Sequence, residues 1–328
     1  MVKEYTLEDF NFSLPKRLIA QVPSNPRDHA RLLVYNRANK FLIDDYFYNI
    51  EKYLPVNSTI VINNSKVEKC RMLFEDAEIF VLETINPTTV RALVRPGKKF
   101  RIGSTKIDGF KFAVDGIDES GIRTIRLDRP LDDKSFDAHK LTPLPPYIAQ
   151  DESLASEYQT VYADPLGSKA APTAGLHFTS QLLENIRAKH RIAEVTLHVG
   201  MGTFAPVKTK IISSHLMHAE EYFISANAAK ILGEAVHITA VGTTSVRVLE
   251  SAKLPFVKQH GTTSIFITPG YHFSSVGSLI TNFHLPKSTL LMLVASFMGS
   301  VEELHRTYEY AIEKGYKFYS FGDAMIIL

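Results

Sequence analysis

Two different rhythms of apolar residues divide this chain, and any fold it adopts must house both. From about Glu68 to Leu141 the apolar positions alternate in short runs, Ala77 to Leu82, Thr89 to Val94, Phe110 to Val114 and Ile122 to Leu127, separated by Pro, Gly and Asp. A period of two belongs to half-buried strands, and runs this short and close together indicate a small all-β module, expected to be a barrel. From Gln159 onward the rhythm changes. Helical spacing at Leu182, Leu183 and Ile186 alternates with strand-like Ile192 to Val199, Ile238 to Val241, Leu279 to Phe283 and Phe318 to Phe321, the order of an α/β domain. Turn chemistry at Asn63-Asn64-Ser65 and at Pro143, Pro145 and Pro146 marks the module's entrance and exit. The expected architecture is a discontinuous α/β domain, residues 1–65 and 148–328, with an inserted small antiparallel β-barrel domain, residues 66–147.

A chain of 328 residues with 45% hydrophobic and 22% charged residues has the composition of folded globular protein and length for two domains. A lone cysteine, Cys70, excludes an intrachain disulfide and fits a reducing, cytoplasmic setting. Acidic Glu4, Glu8 and Asp9 interrupt the stretch that an export signal would need, and Leu290 to Met298 is far short of the roughly 20 apolar residues that span a bilayer. Neither export nor a membrane partner is expected. The formal net charge is only +2, so any contact with nucleic acid must use local patches, of which Lys98, Lys99, Arg101 and Lys106 form one.

Chemistry concentrates at strand ends. Leu279 to Leu293 places Asn282, His284 and Lys287 between a buried strand and a helix that Ser288 or Thr289 can cap after Pro286, where an open α/β sheet presents ligand contacts. In the strand ending at Val199, alternation puts Val195, Leu197 and Val199 on one face and Glu194, Thr196 and His198 on the other. Gly242-Thr243-Thr244-Ser245 joins a strand to a helix carrying Arg247, leaving N–H groups and hydroxyls free for an anion. Each of these segments is also readable as an ordinary hydrogen-bonded cap.

Some chemistries are excluded. Gly200-Met201-Gly202-Thr203-Phe204-Ala205 follows a strand, but Pro206-Val207-Lys208-Thr209 cannot continue it as a helix, so the dinucleotide fingerprint fails; no P-loop is present either. His215 and His218, with Glu220 and Glu221 behind them, have a spacing that would put both imidazoles on one helical face, but they lack a recognised ligand pattern, and no metal is expected.

Several polar strings together resemble the S-adenosylmethionine:tRNA ribosyltransferase-isomerases of queuosine biosynthesis, nearly end to end. They include Leu93-Val94-Arg95-Pro96-Gly97-Lys98-Lys99, Pro143-Leu144-Pro145-Pro146-Tyr147-Ile148, Ala171-Pro172-Thr173-Ala174-Gly175-Leu176-His177-Phe178, Thr196-Leu197-His198-Val199-Gly200, Gly242 to Arg247, Leu279 to Leu293 and Ser320-Phe321-Gly322-Asp323-Ala324-Met325. The resemblance implies an α/β domain interrupted by a β-barrel. It also implies S-adenosylmethionine as a consumed ribosyl donor, whose ribosyl part is transferred to a 7-aminomethyl-7-deazaguanine at the wobble position of a tRNA with a GUN anticodon and isomerised to give epoxyqueuosine, while adenine and methionine leave.

Such chemistry needs a base beside the sulfonium, a donor for departing adenine and groups that hold the methionine carboxylate. The catalytic candidates are His177, His198, His284, Glu220 and Asp323, with Glu221 a further carboxylate able to oppose the sulfonium. Substrate binding is expected from Thr173, Thr203, Thr243, Thr244, Ser245, Arg247, Asn282, Lys287 and Ser288, tRNA binding from Lys98, Lys99 and Arg101, and a monomer is expected. One region departs from the family: it usually has Asn-Asp-Thr followed by Arg or Lys, whereas this chain has Asn63-Asn64-Ser65-Lys66, and a glycine-rich turn that normally follows is missing. Loss of the carboxylate and of a guanidinium fork leaves open a relative with another acceptor or nucleoside, or a tRNA-binding protein without catalysis.

Overall fold

The computed structural model describes residues 4–200, 207 and 209–328. The chain divides into two compact units, residues up to Lys66 together with Pro145–Leu328, and Val67–Leu144.

The larger unit is built on nine strands: β1 (Arg31–Tyr35), β2 (Leu42–Tyr46), β3 (Ser58–Asn63), β4 (Ile192–Leu197), β5 (Glu220–Ile224), β6 (His237–Val241), β7 (Gln259–Thr263), β8 (Ser278–Asn282) and β9 (Ala324–Ile327). Their order across the sheet is β7-β5-β4-β3-β6-β8-β9-β1-β2. The centre, β4-β3-β6-β8, is parallel, and its strands are apolar on both faces because both faces are covered. On one side Val61, Val195, Leu197, Ala240 and Leu279 pack against α2 (Ala226–Gly233), α3 (Thr243–Ala252), α4 (Thr289–Met298) and α5 (Val301–Glu313). On the other, Ile60, Ile62, Val241 and Ile280 meet Phe47, Ile50, Phe178 and the buried stripe of α1 (Ser180–Arg187), which is Leu182, Leu183 and Ile186. The chain leaves β3, returns beside it as β4, and later crosses to its other side as β6. Strand order therefore reverses at β3, where the carboxyl ends of an open sheet leave a crevice.

Helix ends are capped as the sequence suggests. Thr179, Ser225, Ser288 and Ser300 each accept a backbone N–H with the side chain, at Leu182, Ala228, Leu291 and Glu303. One expected strand is absent. Phe318 makes only an isolated bridge to Ile19, and the chain turns at Tyr319, whose φ is 75°; the last strand lies further on, at β9. Gly322 allows this turn, because a Cβ there would sit 2.5–2.7 Å from the backbone of Lys317 and Phe318.

The smaller unit is a seven-stranded antiparallel sheet in the order Lys140–Leu141, Arg71–Leu73, Glu78–Asn86, Thr89–Arg95, Arg123–Leu127, Phe110–Ile117, Gly103–Ile107. It curls on itself. Phe74, beside the second strand in that order, has its ring 5.8 Å from Phe110 and 5.5 Å from Phe112 in the sixth. Both ends of the sheet thus share one core with Met72, Ile79, Val90 and Ile125, although among the described residues no ladder joins Lys140–Leu141 to Gly103–Ile107.

Candidate active site

A cleft of about 720 Å³, counting its open mouth, lies at the carboxyl ends of the parallel strands. Val199 beyond β4, Gly242-Thr243-Thr244 after β6, and Thr281 to Leu285 at the end of β8 form its floor and walls, with Ala170 to Ala174, Tyr147, Ser288, Leu290, Tyr319 and Ser320 around them. Gly242 makes the entry of α3 possible: its φ of 86° is open to glycine, and the chain reverses there to start a helix on Thr243.

Two buried polar atoms in this cleft have no partner, Thr244 Oγ1 and Asn282 Oδ1. The orientation of the Asn282 amide follows from its neighbours. Its Nδ2 lies 3.2 Å from the carbonyl of Tyr319, which can only accept, and 3.0 Å from His177 Nε2. His177 Nε2 is therefore the acceptor and the ring's proton sits on Nδ1. A buried, unpaired acceptor costs about 1–3 kcal/mol unless a ligand donates to it. Beside these atoms, Tyr147 Oη and Ser320 Oγ are 2.7 Å apart, and burial pushes the Tyr147 phenol up to about 12, so it is a neutral hydrogen-bonding group.

The three candidate histidines occupy three different settings. His284 lines the cleft with Nε2 2.8 Å from Thr281 Oγ1, and burial lowers it to about 3. His177 stands behind Asn282, outside the cleft lining; burial, helped by the charge of Arg27, lowers it to about 4. Both are neutral imidazoles at pH 7, able to donate or accept a hydrogen bond but not to serve as imidazolium acids from the resting state. His198 lies apart from the cleft. Its Nδ1 is 2.7 Å from Ser65 Oγ, its ring lies 3.0 Å from where a Cβ on Gly167 would be, and burial depresses its pKa.

Arg247 and Glu220 form an ion pair, both side chains 5% exposed, through Arg247 Nη1 and Glu220 Oε2. Glu220 Oε1 also accepts from Gly200 N at 2.8 Å. Glu220 is thus committed to a guanidinium and a backbone amide. Arg247 retains unpaired, buried Nε and Nη2, the two groups that make the side-on fork of a guanidinium. It follows Thr243 and Thr244 by four and three positions, on their side of α3.

Other expected residues are placed elsewhere. Asp323 accepts from Arg31 N and Lys317 N, both at 2.7 Å, and ties those segments together outside the cleft; burial raises its pKa against those bonds. Lys287 points to Glu8, 2.5 Å away, and Ser245 Oγ donates to Val241 O at 2.8 Å, so neither lines the cleft. Thr173, Thr243 and Ser288 do line it. Thr203 lies outside the described residues. His215 follows a short 3-10 turn in extended backbone, so its spacing to His218 is not that of one helical face. Among the described residues no cluster of three or more His, Cys, Asp or Glu could hold a metal ion, and no helix is long and apolar enough to cross a membrane. In the smaller unit Lys98 and Arg101 are exposed with no ion pair among the described residues, whereas Lys99 pairs with Asp76.

Asn64 fits its surroundings. Its Oδ1 accepts from Thr196 Oγ1 at 2.7 Å and its Nδ2 approaches Glu194 Oε2 at 3.3 Å, where an aspartate would face a second carboxylate.

The sequence model of the family described as "Queuosine biosynthesis protein" matches residues 7–327. The chain belongs to that family. Proteins called S-adenosylmethionine:tRNA ribosyltransferase-isomerase from Moorella thermoacetica and Thermosipho africanus are 42% and 43% identical to it, each alignment covering 98% of this chain and 99% of the relative. A crystal structure of S-adenosylmethionine tRNA ribosyltransferase from Thermotoga maritima aligns over 98% of this chain and all of that one, with a TM-score of 0.56 and 34% identity. The polar cleft residues not foreseen from the sequence are Tyr147, Thr281, Tyr319 and Ser320. All four lie inside or beside the strings that carry the resemblance.

Proposed function

We propose that this chain is an S-adenosylmethionine:tRNA ribosyltransferase-isomerase. The observation that carries the reading is the likeness to proteins of that name over nearly the full length of both chains. The reaction transfers the ribosyl part of S-adenosylmethionine to the aminomethyl group of a 7-deazaguanine at the wobble position of a GUN-anticodon tRNA and isomerises it to epoxyqueuosine. S-adenosylmethionine is consumed and no metal takes part.

The cleft supports that chemistry in its donors and acceptors. Arg247 is outside the cleft lining, but its buried side-on fork lies on the side of α3 that carries Thr243 and Thr244 and suits the methionine carboxylate, with those two residues adding hydroxyls. Asn282 Oδ1 takes an N–H or O–H of the substrate, and His177 fixes the amide that presents it. His284, neutral in the cleft, is proposed to accept a proton from the carbon next to the sulfonium; burial opposes the imidazolium that forms, so the charge developing on that carbon must stabilise it. Departing adenine draws hydrogen bonds from neutral donors such as Tyr147 or Ser320. The segment 66–147 is proposed as the inserted β-barrel domain, its Lys98, Lys99 and Arg101 holding tRNA phosphates, and residues 1–65 and 148–328 as the catalytic domain of a cytoplasmic monomer. The test is incubation with labelled S-adenosylmethionine and a tRNA bearing the aminomethyl-deazaguanine. Epoxyqueuosine in the digested tRNA, with adenine and methionine released in equal amount, is expected; unchanged nucleoside with no adenine release refutes the proposal.

A further inference from the structure

Tyr46 and Tyr48 stand at the surface with their rings stacked, centroids 5.5 Å apart and planes 4° from parallel, and they are 46% and 43% exposed. The exposed ring of His29 leans on Tyr48 at 5.2 Å. Their place in the sheet gives the platform a use. Tyr46 ends β2 and pairs with Arg31 at the start of β1; β1 runs parallel to β9, and β9 antiparallel to β8. Tyr46 is therefore at the same end of the sheet as Asn282 and the cleft. Asp323 links the backbone of Arg31 to that of Lys317, two residues before Tyr319 and Ser320 in the cleft wall, and Lys317 Nζ bonds to the carbonyl of Arg17 at 2.9 Å. Lys16, Arg17 and Lys317 are exposed, and Lys317, tied through Asp323 to the start of β1, precedes the cleft-wall residue Ser320 by three positions. On the other side, Arg27–His29 packs on Thr173–His177, whose first residues line the cleft.

We propose that Tyr46 and Tyr48 are a stacking platform for a base of the RNA loop that flanks the nucleotide seated in the cleft, with Lys16, Arg17 and Lys317 meeting the intervening phosphates. A base can reach an active site of this kind only after leaving its own stack, and its neighbours then need new stacking partners. Parallel, half-exposed tyrosine rings leave an outer π-face on which any base can stack. The inference rests on the tRNA substrate proposed above.

The test uses the full-length protein and an anticodon stem-loop RNA, with 2-aminopurine in place of a base next to the wobble position. The parent binds the RNA and quenches the probe. Tyr46→Ala with Tyr48→Ala is expected to weaken stem-loop binding about tenfold or more and abolish the quench. Tyr46→Phe with Tyr48→Phe retains both, and calorimetric affinity for S-adenosylmethionine is unchanged in all. A double alanine variant that binds and quenches like the parent overturns the platform while leaving the substrate reading intact. A parent that binds S-adenosylmethionine but no stem-loop overturns the substrate reading, and the platform with it.

Discussion

Arg247 shows how a single side chain can serve two roles that pull in different directions. Removing it strands the buried Glu220, and breaking a buried pair on one side typically costs about 3–5 kcal/mol, so Arg247→Ala is expected to lower the melting temperature as well as ligand affinity. Arg247→Lys separates the two effects. It keeps a cation against Glu220 but has no side-on fork, so it should remain folded and lose about tenfold or more in calorimetric affinity for S-adenosylmethionine; unchanged affinity would remove Arg247 from the substrate site. The histidines carry a pH signature. His177 and His284 have folded pKa values near 4 and 3, below the unfolded value near 6.5, so between those limits the unfolded chain binds more protons than the folded one. The stabilisation by their neutral forms is complete above about pH 6.5 and is lost as pH falls towards 4 and 3. Chemical denaturation at pH 7 and pH 5 should show a stability drop that is smaller in His284→Gln. In single-turnover adenine release, His284→Gln is expected to lose about 10²- to 10⁴-fold if it is the proton acceptor. A parental rate there transfers the role to another group. At this scale the sequence was informative about which residues cluster at strand ends, but not about which were already paired. Glu220 and Asp323 looked like free carboxylates because their partners, Arg247 and the amides of Arg31 and Lys317, are distant in sequence or belong to the backbone.

At the scale of elements, legibility followed local chemistry. The run from Leu279 to Leu293 was readable because an apolar strand, a Pro and a Ser cap fall in order, and β8, Pro286 and the Ser288 cap of α4 are where that order puts them. The alternation of Glu194 to Val199 was equally clear: Val195, Leu197 and Val199 enter the core, while Thr196 and His198 hydrogen-bond to Asn64 and Ser65. Phe318 to Phe321 was misread because four apolar or small residues in a row resemble a buried strand. Tyr319 and Ser320 instead form one wall of the cleft at a left-handed turn, a feature decided by tertiary packing against Gly322 and β8. The cap itself is testable. Ser288 accepts from Leu291 N at 3.2 Å and donates to Leu285 O at 2.8 Å, holding the loop that carries His284. Ser288→Ala should cost about 1 kcal/mol in denaturant unfolding, and Ser288→Thr should restore most of it. A fall in stability for Ser288→Thr equal to that for Ser288→Ala would show that the hydroxyl is not the stabilising group.

At the scale of the whole molecule, the apolar period changes near Glu68 and again near Leu141, and the two compact units divide between Lys66 and Val67 and between Leu144 and Pro145, the smaller with a core of its own. The short alternating runs lead to the expectation of a barrel, and the smaller sheet does curl; what they do not specify is the contact that curls it, Phe74 meeting Phe110 and Phe112 across strands far apart in the ladder. A net charge of +2 makes affinity for a polyanion depend on a few positions. Lys98 and Arg101 are exposed without ion pairs among the described residues, whereas Lys99 already has Asp76, so the three should not contribute equally. Reversing Lys98 and Arg101 to Glu is expected to weaken tRNA binding and flatten the slope of log affinity against log salt by roughly one unit for each phosphate that is no longer neutralised. Reversing Lys99 places a glutamate beside Asp76, which should affect the stability of the smaller unit more than the salt slope. S-adenosylmethionine affinity should stay at the parental value throughout, because the cleft belongs to the other unit. Titration of tRNA at several salt concentrations decides the matter: a parental slope in the Lys98→Glu, Arg101→Glu variant means that the tRNA backbone is held by other cations, and Lys16, Arg17 and Lys317 near the cleft become the next to reverse.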